Sequence, residues 1–163
     1  MATIIDKTYF VSPLVVPQIE EASVQVELAS LIQGYEEEYL NSLLGYALAK
    51  LVRTFINTDP EPTTQQRIKD LIDGKEFVDR FGNDQKWYGF RYTLGTTKKS
   101  PIANYVYMKL LRERATYFGS QGEVQLKTEN SNPASSIDRQ VRVWNDMVDA
   151  HRILYEFLYA NQD

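Results

Sequence analysis

The chain has 163 residues, a net charge of −4 and no cysteine. This length fits one domain with a substantial core and is short for two domains. The acidic balance argues against a dedicated nucleic-acid binder, because such a domain is normally strongly basic. The lack of cysteine excludes disulfides and thiolate metal sites, and it fits a protein that matures in a reducing cytoplasm.

The apolar segments of the sequence bear on location. Residues 1–7 lack the basic segment and the long apolar core of a signal peptide. No apolar run approaches the roughly 18 residues that a membrane-spanning helix needs. We therefore expect a soluble protein that is made inside the cell and has no membrane contact.

The N-terminal segment, residues 1–18, is predicted to be an extended arm. It is apolar and contains Pro13 and Pro17, whose rings fix φ and remove backbone donors. The remaining residues, 19–163, are predicted to form a single helical domain, because helical spacing of apolar residues dominates them.

The first part of this domain is predicted to contain two helices. One begins near Ile19 and breaks or bends at Gly34, and the next runs from Tyr35 to Phe55. The second helix has three glutamates in its first turn, where the partial positive charge of a helix N-terminus favours them.

The middle of the chain mixes a short helix with a hairpin. Turn residues precede a short helix, capped by Thr63 or Thr64, that ends at Gly74. Aromatic runs on both sides of Gly82-Asn83 predict a small β-hairpin packed on the helices. Ser100-Pro101 then opens a helix that is predicted to reach Phe118.

A polar stretch without regular pattern, Gly119–Ser135, precedes the last helix, which opens at Ser135 or Ser136. One stripe of that helix keeps strict four-three spacing: Ile137, Val141, Trp144, Val148, His151, Tyr155 and Leu158. A neighbouring stripe holds Val143, Met147, Leu154 and Phe157, so the helix is predicted to be buried over much of its girth. The predicted fold is an all-α bundle of four or five helices, with one small hairpin and a long loop between the last two helices.

Candidate catalytic chemistry is limited to His151, the single histidine. Asp149 or Glu156 could assist it as a general base. However, a lone histidine on an apolar stripe is usually packed or hydrogen-bonded. No second His or Cys is present to build a zinc site, and no phosphate-cradling pattern occurs. The sequence therefore predicts no enzyme and no cofactor.

Charged residues are segregated along the sequence. Glu36, Glu37 and Glu38 make the region before residue 40 acidic, and a later group is basic: Arg91, Lys98, Lys99, Arg112 and Arg114. Three interpretations stay open at this point. The charges are solvated helix faces, or complementary flanks that meet between subunits, or basic residues that line a channel for DNA.

Several segments together resemble a known group of proteins. They are Glu36-Glu-Glu-Tyr-Leu-Asn-Ser-Leu-Leu-Gly-Tyr-Ala-Leu, Trp87-Tyr-Gly-Phe, Ser100-Pro-Ile-Ala-Asn-Tyr-Val-Tyr, Gly122-Glu-Val leading towards Glu129-Asn-Ser, and Val141-Arg-Val-Trp-Asn-Asp-Met-Val-Asp. In this order, over roughly residues 20–160, the chain resembles small head–tail connector (adaptor) proteins of tailed phages and prophages of Bacteroidetes-type hosts. The apolar N-terminal arm has no counterpart in that pattern.

This resemblance implies a structural role at the head–tail junction of the virion. Connectors of this type form a ring, commonly of twelve copies, beneath the portal protein, after assembly in the host cytoplasm. The ring extends the channel through which DNA passes without sequence recognition, and it docks a tail or stopper protein. Gly119–Ser135 would be a segment that reaches a partner. Within this segment, Val124 and Leu126 alternate with polar residues, which predicts a strand that adds to the sheet edge of a partner. This strand consists of Gly122, Glu123, Val124, Gln125, Leu126 and Lys127.

Other functions stay open beside this one. The chain could be another phage structural component, such as a tail-terminator, tail-completion or scaffold-like protein. A small cytoplasmic regulator, or an unrecognised enzyme built around His151, is the remaining alternative.

Overall fold

The computed structural model describes residues 2–58, 65–119, 122–125 and 134–161, with residues 58, 114–119, 122–125 and 134–136 described by their backbone alone. These ranges contain four helices: α1 Ala22–Thr58, α2 Gln66–Asp73, α3 Pro101–Ala115 and α4 Ala134–Ala160. They also contain six strands: β1 Lys75–Val78, β2 Asp84–Trp87, β3 Tyr92–Leu94, β4 Thr97–Lys99, β5 Thr116–Gly119 and β6 Gly122–Gln125.

The chain is mostly helical, as predicted, but it is not purely all-α. Consecutive strands pair into three antiparallel two-stranded sheets in the described ranges, where the sequence predicted one hairpin. The predicted hairpin is confirmed, with Val78 opposite Asp84 and Gly82 in the turn at φ 85°. The two further hairpins are short and flank α3, so periodicity over a few residues gave little signal for them.

The break in the first helix lies at Gly45, and the prediction of a break at Gly34 was wrong. Helix α1 continues through Gly34, because Leu28, Ile32 and Tyr39 bury one continuous face on both sides of it. Gly45 instead adopts φ 75° and ψ 160°, a conformation that is essentially restricted to glycine. The helix axis therefore changes direction one third of the way from the C-terminal end of α1.

Alanine substitutions at these two glycines should have opposite effects. Gly45→Ala should lower the free energy of unfolding by about 1–3 kcal/mol, because a Cβ is strained at positive φ. Gly34→Ala is the matched control. It should raise stability by about 0.5–1 kcal/mol, since alanine is the better helix former and the new Cβ meets no atom within 4 Å apart from the neighbouring residues and the backbone of its own helix. Urea denaturation of both variants measures the two effects, and equal effects would contradict the assigned break.

The end of α3 also differs from the prediction. The helix ends at Ala115 rather than near Phe118, and Thr116–Gly119 pairs with Gly122–Gln125. The β-branched and aromatic residues of Thr116-Tyr-Phe favour an extended strand over a helix. The predicted loop thus begins with a hairpin, and α4 begins at Ala134, next to the predicted start. Residues 120, 121 and 126–133 lie outside the described ranges.

The N-terminal segment is part of the folded body instead of an arm that extends from it. Six of its side chains are buried in the same core as the helices: Ile4, Ile5, Tyr9, Phe10, Leu14 and Val16. The backbone N–H of Ile4 donates to the carboxylate of Glu36 at 2.9 and 3.0 Å, and that of Ile5 donates at 3.3 Å. The hydroxyl of Tyr107 on α3 donates to the carbonyl of Val15 at 3.3 Å.

The stability that Glu36 gives to the docked N-terminal segment depends on pH, because Glu36 is ionisable. Burial raises the pKa of Glu36 from 4.5 to about 7, although the N–H groups of Ile4 and Ile5 act to lower it. Because the folded pKa lies above the unfolded value, the contribution of this group to stability is fully present below pH 4.5. It is lost as the pH rises through 7.

Replacement of Glu36 by glutamine should remove this pH dependence. Glu36→Gln keeps an acceptor oxygen for the N-terminal backbone and cannot ionise. Its free energy of unfolding should therefore rise relative to the wild type between pH 5 and pH 8, by at most about 3 kcal/mol. Thermal unfolding of both proteins across this range measures the difference. A difference that stays constant with pH would show that Glu36 does not titrate with folding.

The hairpin β1–β2 is fixed to α2 by close backbone approach. The indole Nε1–H of Trp87 donates to the carbonyl of Leu71 at 2.8 Å, and the N–H of Arg91 donates to that of Ile72 at 3.2 Å. A Cβ at Gly74 would lie 2.5 Å from the carbonyl oxygen of Trp87, so only glycine fits there. Trp87 is buried, as expected for a hairpin that packs on the helices.

Candidate assembly surface

Helix α4 presents two apolar stripes, and only one of them is buried. Val143, Met147, Leu154 and Phe157 are each at most 3% exposed and pack into the core. The sequence predicted burial over much of the helix girth, which is wrong for the second stripe. Both stripes follow helical spacing, so periodicity could not tell which of them faces the core.

The second stripe forms an exposed row that we call the outer seam, defined by Ile137, Val141, Trp144 and Tyr155. These side chains are between 47% and 66% exposed. Val148 and His151, which are half-buried, complete the row with alternating spacing of four and three residues. Such spacing is typical of the seam along which two helices of a coiled coil meet. An exposed apolar row is one of the surface features at which proteins bind partners.

His151 makes a structural hydrogen bond. Its Nε2 lies 2.7 Å from the hydroxyl oxygen of Tyr39, and the two ring centroids are 5.6 Å apart. Burial lowers the pKa of His151 and raises the pKa of Tyr39, so both groups favour their neutral forms. The proposed assisting carboxylates pair elsewhere, Asp149 with Arg152 and Glu156 with Arg80.

Removal of the Tyr39 hydroxyl should therefore weaken the fold. Tyr39→Phe leaves a half-buried imidazole without this partner, and it should lower the free energy of unfolding by about 1 kcal/mol. Tyr46→Phe is the control, because Tyr46 lies on the same helix and is exposed. Denaturant unfolding of the two variants compares them. A loss of equal size at Tyr46 would show that the bond to His151 adds nothing specific.

The acidic run that was predicted to face a neighbouring subunit is engaged within the chain. Glu36 is 4% exposed and holds the N-terminal segment, so the prediction of an interface charge is wrong for this residue. Glu37 pairs with Arg53 of the same helix. Glu38 accepts from Lys109 of α3 at 2.8 Å, and this ion pair lowers the pKa of Glu38.

Of the predicted basic residues whose side chains the structure describes, Arg91, Lys98 and Lys99 lie near the hairpin β3–β4, and Arg112 lies apart from them. Arg91 donates to Asp73 at 2.7 Å, and Lys98 donates to the Thr8 hydroxyl at 2.8 Å. Lys99 lies beside a cavity of about 280 Å³ next to the start of α3. Arg112 lies near the opposite end of that helix, roughly 17 Å further along its axis. The side chain of Arg114 is outside the described part of the structure.

The predicted partner-binding strand is in part a strand of the chain's own hairpin. Gly122, Glu123, Val124 and Gln125 form β6, which pairs with β5. Leu126 and Lys127 lie outside the described ranges. One edge of β6 is thus used within the chain, and its addition to a partner's sheet stays a prediction.

The sequence interpretation did not single out Phe81. This residue lies in the turn of the hairpin β1–β2 and is 74% exposed. The sequence did contain a signal for its exposure, because an apolar residue between Arg80 and Gly82 at a hairpin tip lies too far from the core to be buried. The guanidinium of Arg80 lies 5.0 Å from the centroid of the Phe81 ring.

Comparisons with protein-family models, curated proteins and solved structures gave no match to this chain. In the described ranges, no group of three or more His, Asp or Glu side chains is arranged to hold a metal ion. Over the same ranges, every helix is too short or too polar to span a bilayer.

Proposed function

We propose that the protein is a structural subunit of a phage head–tail connector. In this role it forms a ring beneath the portal protein, extends the channel through which DNA passes, and docks a tail or stopper protein. Two observations support the proposal: the resemblance of the sequence segments to connector proteins, and the outer seam of α4. The seam carries the argument, because it is a surface of the folded chain.

The chemistry of the outer seam suits assembly. Trp144 and Tyr155 are residue types that protein interfaces favour, and Ile137 and Val141 add aliphatic area beside them. Burial of a side chain of this size stabilises a complex by about 1.5–3 kcal/mol before the costs of association. A helix of a neighbouring protein that lies along α4 would cover the row in one contact.

A charge placed in the outer seam should prevent assembly and leave the fold intact. Val141→Asp introduces a carboxylate whose burial in an apolar contact is costly. Val26→Asp is the matched control, since Val26 is 72% exposed on α1 and lies outside the seam. Each variant is expressed together with the portal protein of the same genome, and electron microscopy shows whether rings form on the portal. We expect rings with Val26→Asp and none with Val141→Asp.

Two results would contradict this proposal. One is normal ring formation by Val141→Asp, which would exclude the outer seam as an assembly surface. The other is the absence of the chain from purified virions, as measured by mass spectrometry, which would exclude a connector and any other virion component. Circular dichroism of both variants confirms that the helices have formed before either result is interpreted.

A further inference from the structure

An apolar groove lies near the C-terminal end of α4, on the side of this helix that faces α1 and α2. It has a volume of about 440 Å³ and lies between the second part of α1, α2 and the last turns of α4. Its apolar lining comes from Leu48, Leu51, Phe55, Ile68, Phe157 and Leu158. This volume is within the range of protein sites that enclose a compact apolar group.

Phe81 is an exposed apolar side chain that its surroundings hold in place. The carboxylate of Asp79 accepts from the backbone N–H groups of Phe81 at 2.8 Å and of Asn83 at 2.9 Å, which makes the turn rigid. Arg80 pairs with Glu156 at 2.9 Å, and its guanidinium lies 5.0 Å from the Phe81 ring. A rigid aromatic side chain loses little conformational entropy when it binds.

The groove and Phe81 lie on opposite sides of α4. Arg80, which contacts Phe81, also contacts Glu156 and Tyr159. The groove uses Phe157, Leu158 and Asn161 of the same turns. At about 100° per residue, these two sets of α4 residues point roughly 170° apart. Phe81 therefore lies on the far side of α4 from the groove of its own chain.

We infer that Phe81 of one copy inserts into this groove of the next copy, head to tail. Two different surfaces on opposite sides of one molecule form a heterologous contact, and repetition of such a contact closes a ring when the rotation allows. Tyr159, which Arg80 contacts, follows Tyr155 of the outer seam by four residues, so the outer seam and Phe81 lie on neighbouring faces of α4. The occupant of the groove is thus a second copy of this chain, and the ring that follows rests on the proposed connector function.

Cross-linking can test this contact directly, because the chain contains no native cysteine. Phe81→Cys and Leu51→Cys place thiols at the tip of the hairpin and at the groove, both at exposed positions. A short bismaleimide is added to an equimolar mixture of the two purified full-length variants. We expect a covalent dimer in the mixture, and a ladder of larger products from the chain that carries both substitutions.

The matched control mixes Phe81→Cys with Val26→Cys, because Val26 is 72% exposed and lies in the first part of α1, outside the groove. A yield of dimer from Phe81→Cys and Leu51→Cys that does not exceed this control would overturn the inference. Native mass spectrometry accompanies the experiment. A small apolar molecule found in the groove of the purified chain, together with no excess of dimer, would equally overturn it.

A second pair of variants reports the direction of the contact. Phe81→Asp disables the inserted side chain, and Leu51→Asp disables the groove, while each variant keeps the other surface. An equimolar mixture should form dimers and nothing larger, because one intact contact remains; each variant alone should be monomeric.

Two outcomes distinguish this contact from the proposed function. Cross-linking in a chain that is absent from virions would reject the connector function and leave the Phe81 contact standing. Portal-bound rings without the cross-link would reject the Phe81 contact alone.

Discussion

The close approach of α2 and the hairpin β1–β2 determines where the chain presents its surfaces. Gly74 and Gly89 let the two backbones meet at distances that no Cβ would tolerate. Trp87 then donates to the end of α2 and stacks on Phe157 of α4, so one aromatic residue joins three elements. With the base of the hairpin fixed, its turn projects past α4 and leaves Phe81 in solvent. A small change at this crossing would redirect the tip of the hairpin and the Phe81 side chain that it carries.

Polar and apolar groups have separate roles in this chain. Several charges that the sequence left open to partners have partners within the chain. Glu38 pairs with Lys109, Arg91 pairs with Asp73, and Glu36 accepts from the N-terminal backbone. Large apolar side chains are exposed on α4 and at the hairpin tip, and others are exposed on α1 and in the N-terminal segment. We therefore expect association between copies to depend on apolar burial, with weaker sensitivity to salt than a charge-matched ring would show.

Local signals in the sequence predicted local structure well. The Ser100 hydroxyl accepts from the N–H groups of Ile102 and Ala103, as expected of a cap, and Gly74 ends α2. The sequence predictions failed where the structure depends on residues that are distant in the sequence. Gly34 and Gly45 are alike in sequence, and only packing decides which one interrupts α1. The two stripes of α4 are equally periodic, and the core could cover just one. Glu36 had no local sign of burial, because its partners lie about thirty residues upstream.

The N-terminal segment has a consequence for the order in which the chain is made. The backbone N–H groups of Ile4 and Ile5 donate to Glu36, and the carbonyl of Val15 accepts from Tyr107, which lies 92 residues later. At about 5–20 residues per second, a ribosome needs roughly 5–20 s to add the residues between Val15 and Tyr107. During that interval the apolar segment is already synthesised, but its docking site still lacks α3. Nascent chains should therefore be most prone to aggregation, and most dependent on chaperones that bind apolar segments, before α3 has left the ribosome.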